Sequence, residues 1–281
     1  MRIYKHKSDI NAEIESLKAL KKTIGFVPTM GCLHDGHIAL VKTSLKENDV
    51  TVVSIFVNPT QFNNPEDLQK YPRTPEADIE KLKAVNCDIV FMPLVNEIYP
   101  EPDNRKFNFS YLENIMEGKF RKDHFNGVAQ VVSKLFNIVR PDIAYFGQKD
   151  YQQLVVIKDL VRQMNMDIRI CSCPIVREKN GLAMSSRNER LSTEQRENAS
   201  IIFKTMKEFI TLAPQHPLKE IKEIIINRIN ENKNAEVEYF EFANADDLTI
   251  MDEYGGSENI IGCIAVYFCG VRLIDNIIFN I

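Results

Sequence analysis

The stretch "PTMGCLHDGH", residues 28–37, sets His34 and His37 three residues apart with Gly36 just before the second. It lies where an apolar run gives way to a helical pattern. A helix start carries unpaired N–H groups and about half a positive charge, so it attracts anions. Gly36 removes the β-carbon that would block close approach of a phosphate. Two imidazoles beside the same turn can donate to phosphate oxygens. The spacing therefore suits a nucleoside triphosphate held across a helix start. The alternative is a pair of histidines that only cap a surface helix, and HxGH by itself does not separate the two. Zinc lacks a third ligand cluster at suitable spacing.

The flanking pattern says what must position this loop. "TIGFVPT" is a strand candidate, followed by "HIALVKTSLKEN", where Ile38, Val41 and Leu45 recur at helical spacing. "DVTVVSIFVN" is a nearly continuous apolar run, as expected of a strand covered on both faces. "TPEADIEKLKAVN" opens with Thr74 as N-cap, Pro75 at the first helical position and acids in the first turn. "CDIVFMP", "PDIAYFG" and "DIRICSCP" read as further strands, and "GVAQVVSKLFNIV" and "DYQQLVVIKDLVRQM" as helices. This alternation predicts an α/β fold, a Rossmann-like doubly wound parallel sheet, in the domain spanning 1–175. Ligands in that architecture bind at the carboxyl ends of the strands, so the loops after strands are the places to look.

Near residue 175 the texture changes. An Asn-Gly turn signal at Asn180–Gly181 precedes a polar stretch, "STEQ" at 192–195 fits a capping box, and "APQHP" at 213–217 reads as a connector. A helix near 218–231 and two or three strands, "AEVEYFEFA", "IIGCIAVYF" and "VRLIDNIIF", predict a smaller C-terminal α+β domain over 176–281.

Three further segments sit after predicted strands: "FVNPTQF" (56–62), "FGQKDYQQ" (146–153) and "MSSRN" (184–188). Together with "PTMGCLHDGH" they resemble the pantoate–β-alanine ligase family. That family lies within the nucleotidylyltransferases that share a His-x-Gly-His signature with class I aminoacyl-tRNA synthetases. The likeness extends to "YPRTPEAD", "KLFNIVRPDIAYFG" and the terminal "RLIDN". HxGH is widespread, whereas "NPTQF" and "GQKDYQQ" at these separations are far more specific.

The resemblance implies that Met30, Gly31, Cys32, Leu33, His34, Asp35, Gly36 and His37 cradle ATP, with His37 the catalytic histidine. It implies ATP contacts from Gly147, Gln148, Lys149 and Asp150, from the Val176 backbone, and from Met184, Ser185, Ser186 and Arg187 in a mobile loop. Gln61 would hold pantoate and β-alanine, and Gln153 pantoate. The implied reaction is attack of the pantoate carboxylate on the α-phosphorus of ATP, then attack of the β-alanine amine on the acyl adenylate. Phosphoryl chemistry of this kind needs positioning and charge neutralisation. Lys149 and Arg187 would offset charge on departing pyrophosphate, and His34 and His37 would serve the phosphate. Mg²⁺ would bridge the ATP oxygens, with Asp150 either an outer partner or a helix cap. "EKNGLAMSSRN", between the two expected domains, would form a lid over a hydrolysable intermediate.

Some positions depart from the resembled pattern. Cys32 stands where alanine is frequent and reads as a loop cysteine, with a modifiable thiol as the alternative. Asn63 replaces a frequent glycine, and asparagine tolerates positive φ. Asn126 and Gln130 leave details of a pocket wall open, and Tyr71 reads as core rather than pocket lining.

Thirty-five basic against 39 acidic side chains leave a net charge of −4, which argues against general affinity for nucleic acid. The start, "MRIYKHKSDI", lacks the apolar core of a signal peptide, and the run "NIIGCIAVYFCGV" is shorter than the ~20 residues that span a bilayer. Six cysteines without a CxxC pair, with Cys171 and Cys173 on one strand face, suggest structural thiols and a reducing cytoplasm. The resemblance adds a homodimer. Two rival readings remain, a related HxGH nucleotidylyltransferase with a different acceptor and a non-catalytic nucleotide-binding module. "NPTQF" argues against the first and the full set of phosphate-facing residues against the second.

Overall fold

In the computed structural model, residues 1–211, 216–254 and 259–280 are described. The chain divides into two compact units, residues 1–148 with 156–174, and residues 149–155 with 175–281.

The first unit is built on six strands: β1 (Arg2–Tyr4), β2 (Ile24–Thr29), β3 (Val50–Ile55), β4 (Ile89–Phe91), β5 (Ile143–Gly147) and β6 (Arg169–Cys173). They pair in parallel in the order β1-β4-β3-β2-β5-β6. From β2 the chain steps outward to β3 and β4, then returns to β5 on the other side of β2. The switch point of the sheet therefore lies between β2 and β5, where Phe26 stands opposite Ala144.

Both faces of the sheet are covered, which is why β2 and β3 are buried at almost every position. On one face Val27, Val53, Val90 and Tyr145 pack with Leu40 and Val41 of the helix Asp35–Glu47 and Leu82 of the helix Pro75–Ala84. On the other, Phe136 of the helix His124–Val139 meets the edges of Phe26 and Phe146, at centroid distances of 6.3 and 6.4 Å. Edge-on aromatic pairs of this kind are favourable beyond the area they bury. The strand β1 and the helix Lys7–Ala19 precede the alternation expected from residue 24 on; the helix buries Ile10, Ile14 and Leu17 at helical spacing. In β1, Arg2 and Ile3 are exposed and only Tyr4 is half-buried, so three residues at a sheet edge show no alternation, yet β1 pairs with β4 from Arg2 to Tyr4.

The second unit has an antiparallel sheet of β7 (Ala235–Asn244), β8 (Asn259–Phe268) and β9 (Val271–Asn280), with β8 central. Its core joins Ile202 and Met206 of the helix Ile201–Ile210 and Ile221, Ile225 and Ile229 of the helix Leu218–Asn230 to Phe240, Phe242, Ile264 and Phe268. The β8–β9 hairpin turns on Cys269 and Gly270, both at positive φ, the geometry of a two-residue I′ turn. Ser192 and Gln195 form the expected capping box of the helix Thr193–Asn198. The connector "APQHP" lies outside the described residues over 213–215.

The short stretch Lys149–Val155 groups with the second unit, although strand–helix alternation alone continues it from β5. Its anchors explain this. The Asn276 side-chain amide donates to the Lys149 carbonyl at 2.9 Å, and the Tyr151 hydroxyl donates to the Ala245 carbonyl at 2.9 Å.

Candidate active site

The loop after β2 is shaped by a carboxylate from another element. Asp78, 1% exposed in the helix Pro75–Ala84, accepts the backbone N–H groups of Cys32 (2.9 Å) and Leu33 (2.7 Å) and the Thr74 hydroxyl (3.2 Å). Lys81, one turn on, donates to the Leu33 carbonyl. The backbone must bend to present two consecutive N–H groups to one carboxylate, and Gly31 (φ +80°) and Cys32 (φ +49°) take the left-handed conformation that does so. A β-carbon on Gly31 would lie 3.0 Å from Asp78 Oδ2 and 3.1 Å from Ile55 Cγ2, so glycine is required twice over. Leu33 and Cys32 are buried, which makes Cys32 a packed loop residue.

The spacing of the two histidines has a structural meaning. His34 is the N-cap of the helix Asp35–Glu47, and the ring of His37 reaches back so that Nδ1 accepts the His34 N–H at 3.3 Å. The two rings lie 4.0 Å apart. With Nδ1 accepting, a neutral His37 carries its proton on Nε2. Capping and ligand donation, set against each other in the sequence, are compatible: the cap fixes the tautomer. Asp35 and Gly36 begin the helix, with Asp35 exposed.

The turn Pro59–Gln61 follows β3, and here a buried amide organises the geometry. Asn58, 1% exposed, donates through Nδ2 to Gln61 Oε1 and to the Gly127 carbonyl, each at 3.1 Å. Its Oδ1 accepts the hydroxyls of Tyr99 (2.9 Å) and Thr60 (3.1 Å). Burial raises the Tyr99 phenol above its usual range, which keeps it a donor. Asn58 thus fixes the Gln61 amide, whose Nε2 reaches Met30 Sδ at 3.1 Å. The loops after adjacent strands β2 and β3 meet at this contact. The helix His124–Val139 comes so close that a β-carbon on Gly127 would sit 2.4 Å from the Thr60 carbonyl oxygen.

Neighbouring departures are resolved in place. Asn63 does not take a positive φ; its side chain donates to the Lys122 carbonyl instead. Asn126 accepts the Phe107 N–H at 3.0 Å, and Gln130 donates to the carbonyls of Asp103 (2.8 Å) and Arg105 (2.9 Å). Both fasten the chain near 103–107. Tyr71 is buried with its ring edge-on to Phe62 at 5.7 Å.

Gly147 and Gln148 stand at the carboxyl end of β5, next to β2 across the switch point. Lys149 and Asp150 follow, with Lys149 Nζ 3.3 Å from the exposed Asp150 carboxylate, and Gln153 lies half-buried in the first turn of the helix Tyr151–Gln163. The Cys173 thiol of β6 is pushed up to about 12 by burial, as a structural thiol should be. All six cysteines are thiols.

In the second unit, residues 176–184 form a small antiparallel ladder. Met184 N–H donates to the Val176 carbonyl (3.0 Å) and Glu178 N–H to the Leu182 carbonyl (2.8 Å), around a turn with Gly181 at φ +101°. Ser185 Oγ then accepts the Arg187 N–H at 3.3 Å, starting the turn Ser186–Arg190. Asn188, 1% exposed, donates to Glu178 Oε1 (2.8 Å) and the Ala183 carbonyl (3.0 Å), pinning the end of "MSSRN" to the ladder. Ser186 is buried and Met184 and Arg187 partly so.

Asp78, Lys81, Asn58 and Asn188 carry no functional signal in the sequence. Asp78 resembled one more acid favouring a helix N-terminus, and only the fold shows its carboxylate turned into the loop. Among the described residues no group of three or more His, Cys, Asp or Glu side chains is placed to hold a metal ion. No helix is long and apolar enough to cross a membrane among the same residues.

The sequence model described as pantoate-beta-alanine ligase matches residues 2–278. A pantothenate synthetase of Bacteroides fragilis is 52% identical over 270 residues, covering 96% of this chain and 95% of its own. The crystal structure of a pantothenate synthetase from Thermus thermophilus superposes with a TM-score of 0.92 at 36% identity, covering 99% of both chains. A pantoate-beta-alanine ligase from Francisella tularensis, solved with beta-gamma ATP and beta-alanine, has a TM-score of 0.82 at 38% identity, over 99% of this chain and 97% of that one. The loops at the strand ends and the sheet that orders them are those of a protein that belongs to the pantoate–β-alanine ligase family.

Proposed function

We propose that the protein condenses (R)-pantoate with β-alanine to pantothenate, using ATP and releasing AMP and pyrophosphate through a pantoyl adenylate. The observation that carries this reading is family membership across residues 2–278. The geometry supports a role for each segment. In the first step the pantoate carboxylate attacks the α-phosphorus of ATP. His37, with Nε2–H as donor, serves the phosphate as charge builds on it, and His34 assists in binding. The loop Met30–His37 and the turn Gly147–Asp150 receive the nucleotide. Lys149 and Arg187 offset charge on the departing pyrophosphate, Arg187 with a fork suited to two oxygens. Ser185 and Ser186 offer hydroxyls, and Val176 its backbone.

Gln61 suits the acid because Asn58 holds its Oε1, so that Nε2 is kept as the donor end beside Met30, where it can exchange the weak sulfur contact for a carboxylate. A neutral amide binds a carboxylate without over-stabilising it in the ground state, as a lysine would. Gln153 holds the other end of pantoate. In the second step the β-alanine amine, received near Gln61, attacks the acyl carbon and AMP departs. The segment 178–188 serves as a lid that keeps water from the adenylate.

Mg²⁺ arriving with ATP would find the exposed Asp150 carboxylate as an outer partner, which fits an ion held mainly by phosphate and water oxygens. The ion would neutralise phosphate charge. The same reading places the protein in the cytoplasm as a homodimer, and a sedimentation mass of one chain would contradict the dimer.

The test is to supply ATP, (R)-pantoate, β-alanine and Mg²⁺ and to measure AMP and pyrophosphate. AMP formation that requires both acids is expected; none with every component present overturns the reading. Pyrophosphate exchange into ATP should need pantoate but not β-alanine.

A further inference from the structure

The terminal "RLIDN" has no part in the chemistry above, yet two of its residues hold groups that do. Asp275 and Asn276 are consecutive on β9 and are 5% and 3% exposed. Asp275 takes the Arg177 guanidinium in a two-pronged pair, Nη1 to Oδ2 at 2.6 Å and Nη2 to Oδ1 at 2.9 Å. Arg177 also donates to the Gly181 carbonyl (3.1 Å) and the Asn276 carbonyl (3.1 Å) and lies 3.6 Å over the Phe203 ring. Burial pushes the Asp275 carboxyl up while Arg177 pulls it down.

Arg177 follows Val176 and stands opposite Ala183 in the ladder that leads into Met184–Arg187. The ladder is therefore fastened to β9 at both its strand and its turn. On the neighbouring residue, the Asn276 side chain donates to the Lys149 carbonyl at 2.9 Å. Successive strand residues face opposite ways, so one strand can grip two segments. Among the described residues β9 is an edge strand beside β8, and Arg177 donates to its carbonyl at Asn276.

We propose that Asp275 and Asn276 are positioning residues for the adenylation step: Asn276 sets Lys149 through its carbonyl, and Asp275 sets the Met184–Arg187 loop through Arg177. Adjacent positions on one rigid strand thereby fix the distance between the two cations that meet the departing pyrophosphate. This rests on the function proposed above. Neither residue touches substrate in this account; each acts through its partner.

The test is a double-mutant cycle read by AMP formation. Asn276→Ala should lower kcat about tenfold in the wild-type background, the scale of a misplaced reacting group, and less than twofold in a Lys149→Ala background. KM for pantoate should not change in either. Asn276→Asp, which puts an acceptor against the Lys149 carbonyl, should be at least as severe. Asp275→Asn should lower kcat severalfold, with the effect lost when Arg187→Ala is also present. Equal factors in both backgrounds, or full activity in Asn276→Ala, overturn the proposal. If Asn276→Ala does not fold, Asn276→Ser carries the same cycle with the same criteria. A wild-type protein that forms no AMP would instead sink the proposed function, so the two failures are distinct.

Discussion

The Asp78 carboxylate accepts the Leu33 amide at 2.7 Å while also holding the Cys32 amide, so a helix that follows β3 in the chain fixes the loop that follows β2. The shape of the histidine loop thus depends on a residue remote from it in sequence.

Asp78→Asn keeps the side-chain shape but turns one acceptor into a donor facing an amide. Loss of hydrogen bonds to a buried charge costs about 2–3 kcal/mol. A lowered urea midpoint and a raised KM for ATP are expected. Unchanged stability and unchanged KM would show that the loop holds its form without Asp78.

His37→Ala and Lys149→Ala should each lower kcat by about 10²–10³, the usual cost of removing a donor to developing charge. The check is steady-state AMP formation at saturating substrates. Near-normal turnover in either variant removes that residue from the mechanism.

Gln61→Ala should raise KM for pantoate with little change in KM for ATP. Asn58→Ala should do the same more weakly, since it frees the Gln61 amide to rotate. An effect of either confined to ATP contradicts the assignment of Gln61.

Asp49 is held near pKa 2 by the Thr23 backbone N–H, Lys22 and the Thr23 hydroxyl, against an ordinary value of 3.8. A depressed folded-state pKa stabilises the protein above the unfolded-state value, and that contribution is lost as pH falls through the folded-state one. Asp49→Asn should therefore be less stable than wild type at pH 6, and the gap should close between about pH 4 and 2. Urea midpoints across that range give the answer; a gap independent of pH would refute it.

The repeating strands and helices were legible because their burial is periodic. β2, β3, β5 and β6 and the helices after them fall within a few residues of the expected bounds. The start of the helix His124–Val139 was read three residues late, because Asp123 adopts a left-handed N-cap without a side-chain bond and so leaves no capping signature. The motif residues stand out by type: histidine beside glycine, glutamine and lysine after a strand. What escaped were the residues that hold them. Asp78 and Asn58 act through backbone groups distant in sequence, Asp275 through the Arg177 guanidinium, and Asn188 through the Glu178 side chain and the Ala183 carbonyl; nothing in their immediate neighbours distinguishes them from a helix acid or a turn asparagine.

The strand order also bears on how the molecule comes into being. β2 and β3 are joined by one helix and can register as soon as both exist, with Val27 opposite Val53. The other neighbour of β2 is made only after β3, β4 and the irregular chain beyond them, so closing Phe26 against Ala144 carries the entropy of a long loop. During synthesis the histidine-bearing edge must wait, apolar and open, for its second wall. An unpaired strand edge of that kind is a template on which another chain can pair.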